Sequence, residues 1–235
     1  MALPKMAVPM YSVVLPSTGQ ELQMRPYLVK EEKILMIALE SNDPQQISTA
    51  VRNIIVSCIE DIIDMDELTV FDIEKLFLEL RSISVGETVE LSIKCSECEE
   101  NNTAAVNLKE VNLSEYVQGA NIIQLDTSIG IELKYPTVND ITDISAGNLE
   151  SVEGMMELIT NCIVNIFDAD NVYSAKDEKK EALNEFIDGL SSAQFKKIKA
   201  FFESTPMLVH NIEFKCSKCE HENSIELKGL NSFFG

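Results

Sequence analysis

Four cysteines, Cys95, Cys98, Cys216 and Cys219, are the residues of this chain best suited to do chemistry. They form two C-x-x-C pairs, "KCSEC" at 94–98 and "KCSKC" at 215–219, in a chain with only two other cysteines. Two residues between cysteines let both thiolates reach one ion at about 2.3 Å, and two such pairs supply the four sulfurs of a closed tetrahedral zinc site. No position then remains open for water, so the expected metal is structural and not catalytic. Each pair is flanked by alternating apolar and polar residues, in "TVELSIKCSECEENNTAAVNL" (88–108) and "VHNIEFKCSKCEHENSIELKGL" (209–230). That pattern reads as two strands joined by a zinc-knuckle turn.

Other chemistries compete for these residues. A thioredoxin-like redox pair opens a helix, which lowers the thiolate pKa, whereas strands follow here. Disulfides, within or between pairs, suit an oxidising compartment. The start "MALPKMAVPMYSVVLP" breaks its apolar residues with Pro4, Lys5, Pro9 and Pro16, unlike a signal peptide, which predicts a reducing cytosol. Vestigial or separately occupied pairs are the remaining readings. His221, two residues after Cys219, is a possible substitute ligand, with a solvent-facing role favoured because four cysteines suffice. Cys58 and Cys162 lie on apolar helix faces and read as small core hydrophobes. The triplets "DMD" (64–66) and "DAD" (168–170) lack the glycine and terminal glutamate of a calcium loop and read as helix exits.

A shared metal requires the chain to bring together pairs separated by 117 residues. Internal repetition supplies the means. "YSVVLPSTGQELQM" (11–24) and "NIIQLDTSIGIELK" (121–134) both read as hairpins, and each runs into proline and tyrosine, "RPY" (25–27) and "KYP" (134–136). A helix follows in each. "DPQQISTAVRNIIVSCIEDIIDMD" (43–66) has Asp43 as cap, Pro44 in the first turn, and Ile47, Val51, Ile54, Ile55, Cys58, Ile59 and Ile62 on one face. "SVEGMMELITNCIVNIFDAD" (151–170) places Met155, Leu158, Ile159, Cys162, Ile163 and Ile166 each 104 residues after a counterpart. A second amphipathic helix comes next: 70–83 with Ile73, Leu76, Phe77 and Leu80 inward, and 191–204 with Phe195, Ile198, Phe201 and Phe202. The charged segment 171–189 reads as an inserted surface helix.

The sequence therefore predicts an α+β protein of two pseudo-symmetric copies of a hairpin–helices–zinc-knuckle unit, sharing one zinc-ribbon-like site. The domains are residues 1–118, the N-terminal repeat, and 119–235, the C-terminal repeat ending in the aromatic tail "LNSFFG" (230–235). Phe233 and Phe234 in that tail either dock on a partner or fold back onto their own core.

The net charge of −20 repels a phosphate backbone, so nucleic acid is an unsuitable partner. No apolar run reaches the roughly 18 residues of a membrane span. Phosphate-loop, dinucleotide, metalloprotease and nucleophile-elbow motifs are all missing, and two histidines offer little general-base capacity. The expectation is a scaffold or binding protein, not an enzyme.

In "LPSTGQELQMRPYLVKEEKILMIALES" (15–41) and "FDIEKLFLELRSISVGETVEL" (71–91) the chain resembles the T-even-type phage baseplate hub assembly family. The matching features are R-P-aromatic with K-E-E-K at 25–33, the "FD...LF..LR..SVGE" string at 71–87, and the C-x-x-C soon after. The resemblance covers about 100 residues of the first copy; "KYPT" (134–137) and the knuckle carry it in the second. It implies a late protein, in the host cytoplasm during assembly or in the virion tail, that binds other hub or tail proteins as a hub component or assembly chaperone. It implies no catalytic residues, and the zinc inference is independent of it. Two rival readings are a zinc-ribbon regulator touching nucleic acid or polymerase, which requires a basic face near the knuckles, and a hydrolase with clustered carboxylates.

Overall fold

A computed structural model of the protein describes residues 7–115, 121–142 and 151–233. In chain order its elements are β1 (Tyr11–Val14), β2 (Glu21–Met24), α1 (Val29–Ser41), α2 (Pro44–Cys58), α3 (Val70–Val85), β3 (Thr88–Lys94), β4 (Asn101–Asn107), β5 (Asn112–Leu113), β6 (Ile122–Gln124), β7 (Gly130–Leu133), α4 (Val138–Thr142), α5 (Val152–Asn161), β8 (Ile163–Phe167), β9 (Val172–Ser174), α6 (Lys180–Asp188), α7 (Ser192–Glu203), β10 (Leu208–Lys215) and β11 (Glu222–Lys228). Helices and antiparallel sheets are mixed, as expected of an α+β chain.

Two compact units form, and they interleave along the chain. One comprises Met1–Met65, Phe71–Ser114 and Met207–Gly235; the other comprises Asp66–Val70 and Glu115–Pro206. The compact units therefore do not divide at residue 118: the second knuckle hairpin belongs with the first. Antiparallel pairing of β10 with β5 at Leu208↔Leu113 and Val209↔Asn112 explains this, because it ties β10–β11 to the segment leaving β3–β4.

In the first unit, α3 is buried on nearly every side, at Phe71, Asp72, Leu76, Phe77, Leu78, Leu80 and Ser82, so its apolar stripe is wider than Ile73, Leu76, Phe77 and Leu80. Buried at these positions, the helix lies against the core, while Glu74, Lys75, Glu79 and Arg81 keep partial exposure. One core cluster joins Leu78 to Leu91, Ala104 and Val106 of β3–β4, Leu208, Ile212 and Leu227 of β10–β11, and Phe233. Phe233 is fully buried, so for this residue the aromatic tail folds back; Phe234 lies outside the described residues. The second unit has the sheet β6–β7–β8–β9 and a core of Ile131, Leu133, Ile159, Ile163, Leu183, Ile187, Ile198 and Phe201.

Both helices expected to run to the acidic triplets stop short. Helix α2 ends at Cys58 and α5 at Asn161. Ile59 instead bridges Met24, and Ile163 pairs with Leu133 as the start of β8. Each hairpin offers an unpaired strand edge there, and pairing with it outcompetes helix propagation in β-branched runs such as "IVNIF". Apolar periodicity over so few residues cannot separate the two outcomes. The segment 171–189 likewise opens with a strand, β9, before α6, whose Leu183 and Ile187 are buried and not solvent-facing.

The two hairpins are secured by matching contacts. The Arg25 N–H donates to the Cys58 carbonyl at 2.8 Å, and the Lys134 N–H to the Cys162 carbonyl at 2.9 Å. Six residues after each base stands a buried acid: Arg25 pairs with Glu31 at 2.8 Å and Lys134 with Asp140 at 2.9 Å. Each acid also caps its own helix, Glu31 accepting from the Leu28 N–H and Asp140 from the Thr137 N–H, both at 2.9 Å.

Burial disfavours the Glu31 carboxylate, but hydrogen bonds from Arg25, the Leu28 N–H and Lys30 outweigh it and hold the group at about 2, against the ordinary 4.5. Its stabilising effect is therefore complete above about pH 4.5 and is lost as pH falls towards 2, a total of roughly 3 kcal/mol. Glu31→Gln mimics the protonated carboxyl, so it is expected to destabilise by that amount at pH 7 and by about half as much at pH 3. Urea unfolding of both proteins at the two pH values checks this; a gap that does not narrow in acid contradicts it. Metal loss in acid affects both proteins and cancels in the difference.

Candidate metal centre

The two C-x-x-C turns connect β3 to β4 and β10 to β11, whose ladders run in continuous register up to Lys94↔Asn101 and Lys215↔Glu222. Each turn closes in the same way. The Cys95 N–H donates to the Glu100 carbonyl at 2.9 Å and the Glu99 N–H to the Cys95 carbonyl at 3.0 Å. The corresponding bonds at Cys216, from its N–H to His221 and from the Glu220 N–H, are 2.9 and 3.1 Å. The residue after the second cysteine is left-handed in both, Glu99 at φ 57° and Glu220 at φ 60°. For a residue with a Cβ that conformation costs about 1–2 kcal/mol, and it persists because the strand ladders on both sides dictate it. Strands on both sides, with no helix opened by the pair, also argue against the redox reading.

The fold brings all four predicted cysteines together. The Cys95 and Cys219 sulfurs lie 3.6 Å apart, as do those of Cys98 and Cys216, and all four fall within 4.8 Å of one another. Four sulfurs at the ends of 2.3 Å tetrahedral bonds stand about 3.8 Å apart, so the donor set has the size a zinc ion needs. All six cysteines are free thiols. Cys95 and Cys216 are buried, Cys98 is half-buried and Cys219 is exposed.

Clustering makes simultaneous ionisation of these thiols unfavourable without a cation. Cys216 ionises most readily, held down to about 6 by the backbone N–H groups of Cys219 and Lys218. At Cys219 the His221 N–H acts in the same downward direction, but the sulfurs of Cys98, Cys216 and Cys95, together with desolvation, push it up to about 12. A divalent cation at the centre removes that repulsion, which is why such a donor set and a metal belong together.

Two residues in contact with the cysteine cluster escaped the sequence reading. Asn102 accepts from the Ser217 N–H at 2.9 Å through its Oδ1, and its Nδ2 lies 3.7 Å from the Cys216 sulfur. Asn223 makes the mirror contacts, accepting from the Ser96 N–H at 2.9 Å with its Nδ2 3.6 Å from the Cys95 sulfur. The signal was present: both knuckles read C-S-x-C-E-x-x-N. His221 is exposed and stands outside the sulfur cluster. Its carbonyl, not its ring, takes part, accepting from Cys216 and Asn223.

Two of the knuckle lysines, Lys215 and Lys218, are paired with acids. Lys218 meets Glu100 of the other knuckle at 2.9 Å, and Lys215 meets Glu220 at 3.0 Å.

A protein family described as T4 bacteriophage base plate protein matches residues 8–235, nearly the whole chain. The chain belongs to this baseplate protein family. No curated protein and no solved structure matches it. For a T4-type baseplate protein the remaining candidate residues read as architecture. Cys58 and Cys162 are fully buried where α2 and α5 end, and burial pushes the Cys162 thiol up to about 12, which makes it inert. The acidic triplets lie beyond both helices and are not their exits. Asp168 shapes the β8–β9 turn by accepting from the Asp170 and Asn171 N–H groups, which hold its carboxyl below the usual range. Among the described residues no helix is long and apolar enough to cross a membrane.

Proposed function

We propose that this baseplate protein is a non-catalytic component or assembly chaperone of the tail hub, built from two diverged copies of one unit and stapled by a single structural zinc on Cys95, Cys98, Cys216 and Cys219. The observation that carries the reading is the family match over 8–235 in a chain whose two cysteine pairs converge on one closed site. Bound zinc would supply cross-linking here: four thiolates saturate a tetrahedral ion and leave no place for a substrate. The matched contacts of Arg25, Glu31 and Cys58 with those of Lys134, Asp140 and Cys162 support duplication, as does the repeated C-S-x-C-E-x-x-N turn.

Binding to other tail proteins is supported by α1, which exposes Val29, Ile34, Met36, Ile37 and Leu39. Such side chains are depleted from surfaces that meet only water. The protein acts in the host cytoplasm during assembly and travels into the tail baseplate if it stays bound. A charge of −20 and paired knuckle lysines argue against a regulator that grips nucleic acid.

Deletion of the gene from its phage is expected to leave infected cells without complete baseplates, while the purified protein shows no binding to random duplex DNA at physiological salt. Complete baseplates in the deletion would refute the assembly role. Micromolar or tighter binding that weakens with salt would instead revive the zinc-ribbon regulator.

A further inference from the structure

We propose that Asn102 and Asn223 are reciprocal positioning residues that turn two separate knuckles into one metal centre, each by clasping the turn of the other. The inference rests on the reading of the four cysteines as one zinc site. Each asparagine stands four residues after the second cysteine of its own knuckle, at the start of β4 or β11. Its side-chain amide is used on every side. One N–H donates to a carbonyl of its own turn, Asn102 to Glu100 at 2.8 Å and Asn223 to His221 at 3.1 Å. The oxygen crosses to the other knuckle and accepts the N–H of the serine between its cysteines. The second N–H faces the first cysteine of that same foreign knuckle.

The choice of cysteine follows from burial. Cys95 and Cys216 are 1% and 2% exposed, whereas Cys98 is half-buried and Cys219 open to solvent. Water can donate to the outer sulfurs but not to the inner ones, whose donors must come from the protein: backbone N–H groups such as that of Lys218, 3.5 Å from the Cys216 sulfur, supply part, and a buried thiolate short of donors is costly. The asparagines supply a donor where solvent cannot. A zinc ion with four thiolates carries a net charge of −2, so each N–H···S contact also offsets charge that the acidic surroundings cannot. Asparagine alone combines the crossing acceptor with the crossing donor at this side-chain length; aspartate would keep the acceptor and set a second negative charge against the sulfur. Because the clasp links the serine of one turn to the strand of the other, it holds the sulfurs near their bonding separation whether or not the ion has arrived.

The test uses the full chain loaded with zinc, titrated against a chromophoric chelator at neutral pH. Asn102→Asp retains the acceptor for Ser217 and removes the donor to Cys216. It is expected to weaken zinc binding about 10–100-fold, and Asn223→Asp by a similar factor. A second measurement needs no substitution. In wild-type protein loaded with ¹¹³Cd, scalar coupling through the N–H···S contacts is expected between the metal and the side-chain amide protons of both Asn102 and Asn223. Zinc held within twofold of wild type by both variants, or the absence of coupling to both amides, overturns the clasp. Should neither variant fold, the coupling alone decides. Wild-type protein that binds no metal overturns the zinc reading itself, and the clasp with it; loaded protein without the coupling overturns only the clasp.

Discussion

Cys95→Ser is expected to release the metal and cost several kcal/mol of stability, lowering the melting temperature by roughly 10 °C or more. A hydroxyl is a poor zinc ligand, and structural zinc contributes its binding free energy directly to folding. The loss falls on the unit containing both knuckle hairpins, because their turns meet at the four sulfurs, the two asparagines and the Lys218–Glu100 pair. Chelation of the wild-type protein should reproduce the effect without any substitution. Cys58→Ser supplies the contrast: this cysteine is equally buried at the end of α2 but remote from the cluster, so its replacement should cost about 1–2 kcal/mol and leave the metal bound. A melting temperature indifferent to both Cys95→Ser and chelator would remove the structural role.

Phe233→Ala is expected to destabilise by about 3–5 kcal/mol, the range for deleting a fully buried aromatic ring. Phe233 has no solvent exposure and shares its cluster with Leu78, Val106, Leu208 and Ile212, which come from both knuckle hairpins and α3. The chain is fixed on its way to that position: the Leu230 N–H donates to Glu74 Oε1 at 3.0 Å, and the other oxygen of the same carboxylate accepts from Leu208. A denaturant midpoint that falls with an unchanged slope would show lost packing in an intact fold. A change below 1 kcal/mol would mean that the ring belongs to a partner surface after all.

The convergence of the four cysteines was legible in the sequence because C-x-x-C spacing, strand alternation and recurrence each constrain them independently. The hairpins and the start of α2, with Asp43 capping Gln45 at 2.9 Å, were legible from local turn and capping chemistry. What escaped was decided by partners distant in sequence. The ends of α2 and α5 depend on strands β2 and β7, which claim Ile59 and Ile163, and a helical stripe of isoleucines gives no notice of that competition. The burial of Phe233 depends on a pocket assembled from residues 78–227, and four residues of tail carry no periodicity to reveal it. Asn102 and Asn223 were visible as a repeated letter, but their role exists only across the two knuckles. Interleaving of the units is of the same kind: β5, two residues long, sends β10–β11 to join the first hairpin.

X-ray absorption combined with elemental analysis of the freshly reduced, full-length protein tests the central claim most directly. The account predicts one zinc per chain with four sulfur neighbours at about 2.3 Å and no oxygen or nitrogen in the shell. Protein free of metal, with the thiols of Cys95, Cys98, Cys216 and Cys219 all freely titratable, would contradict it.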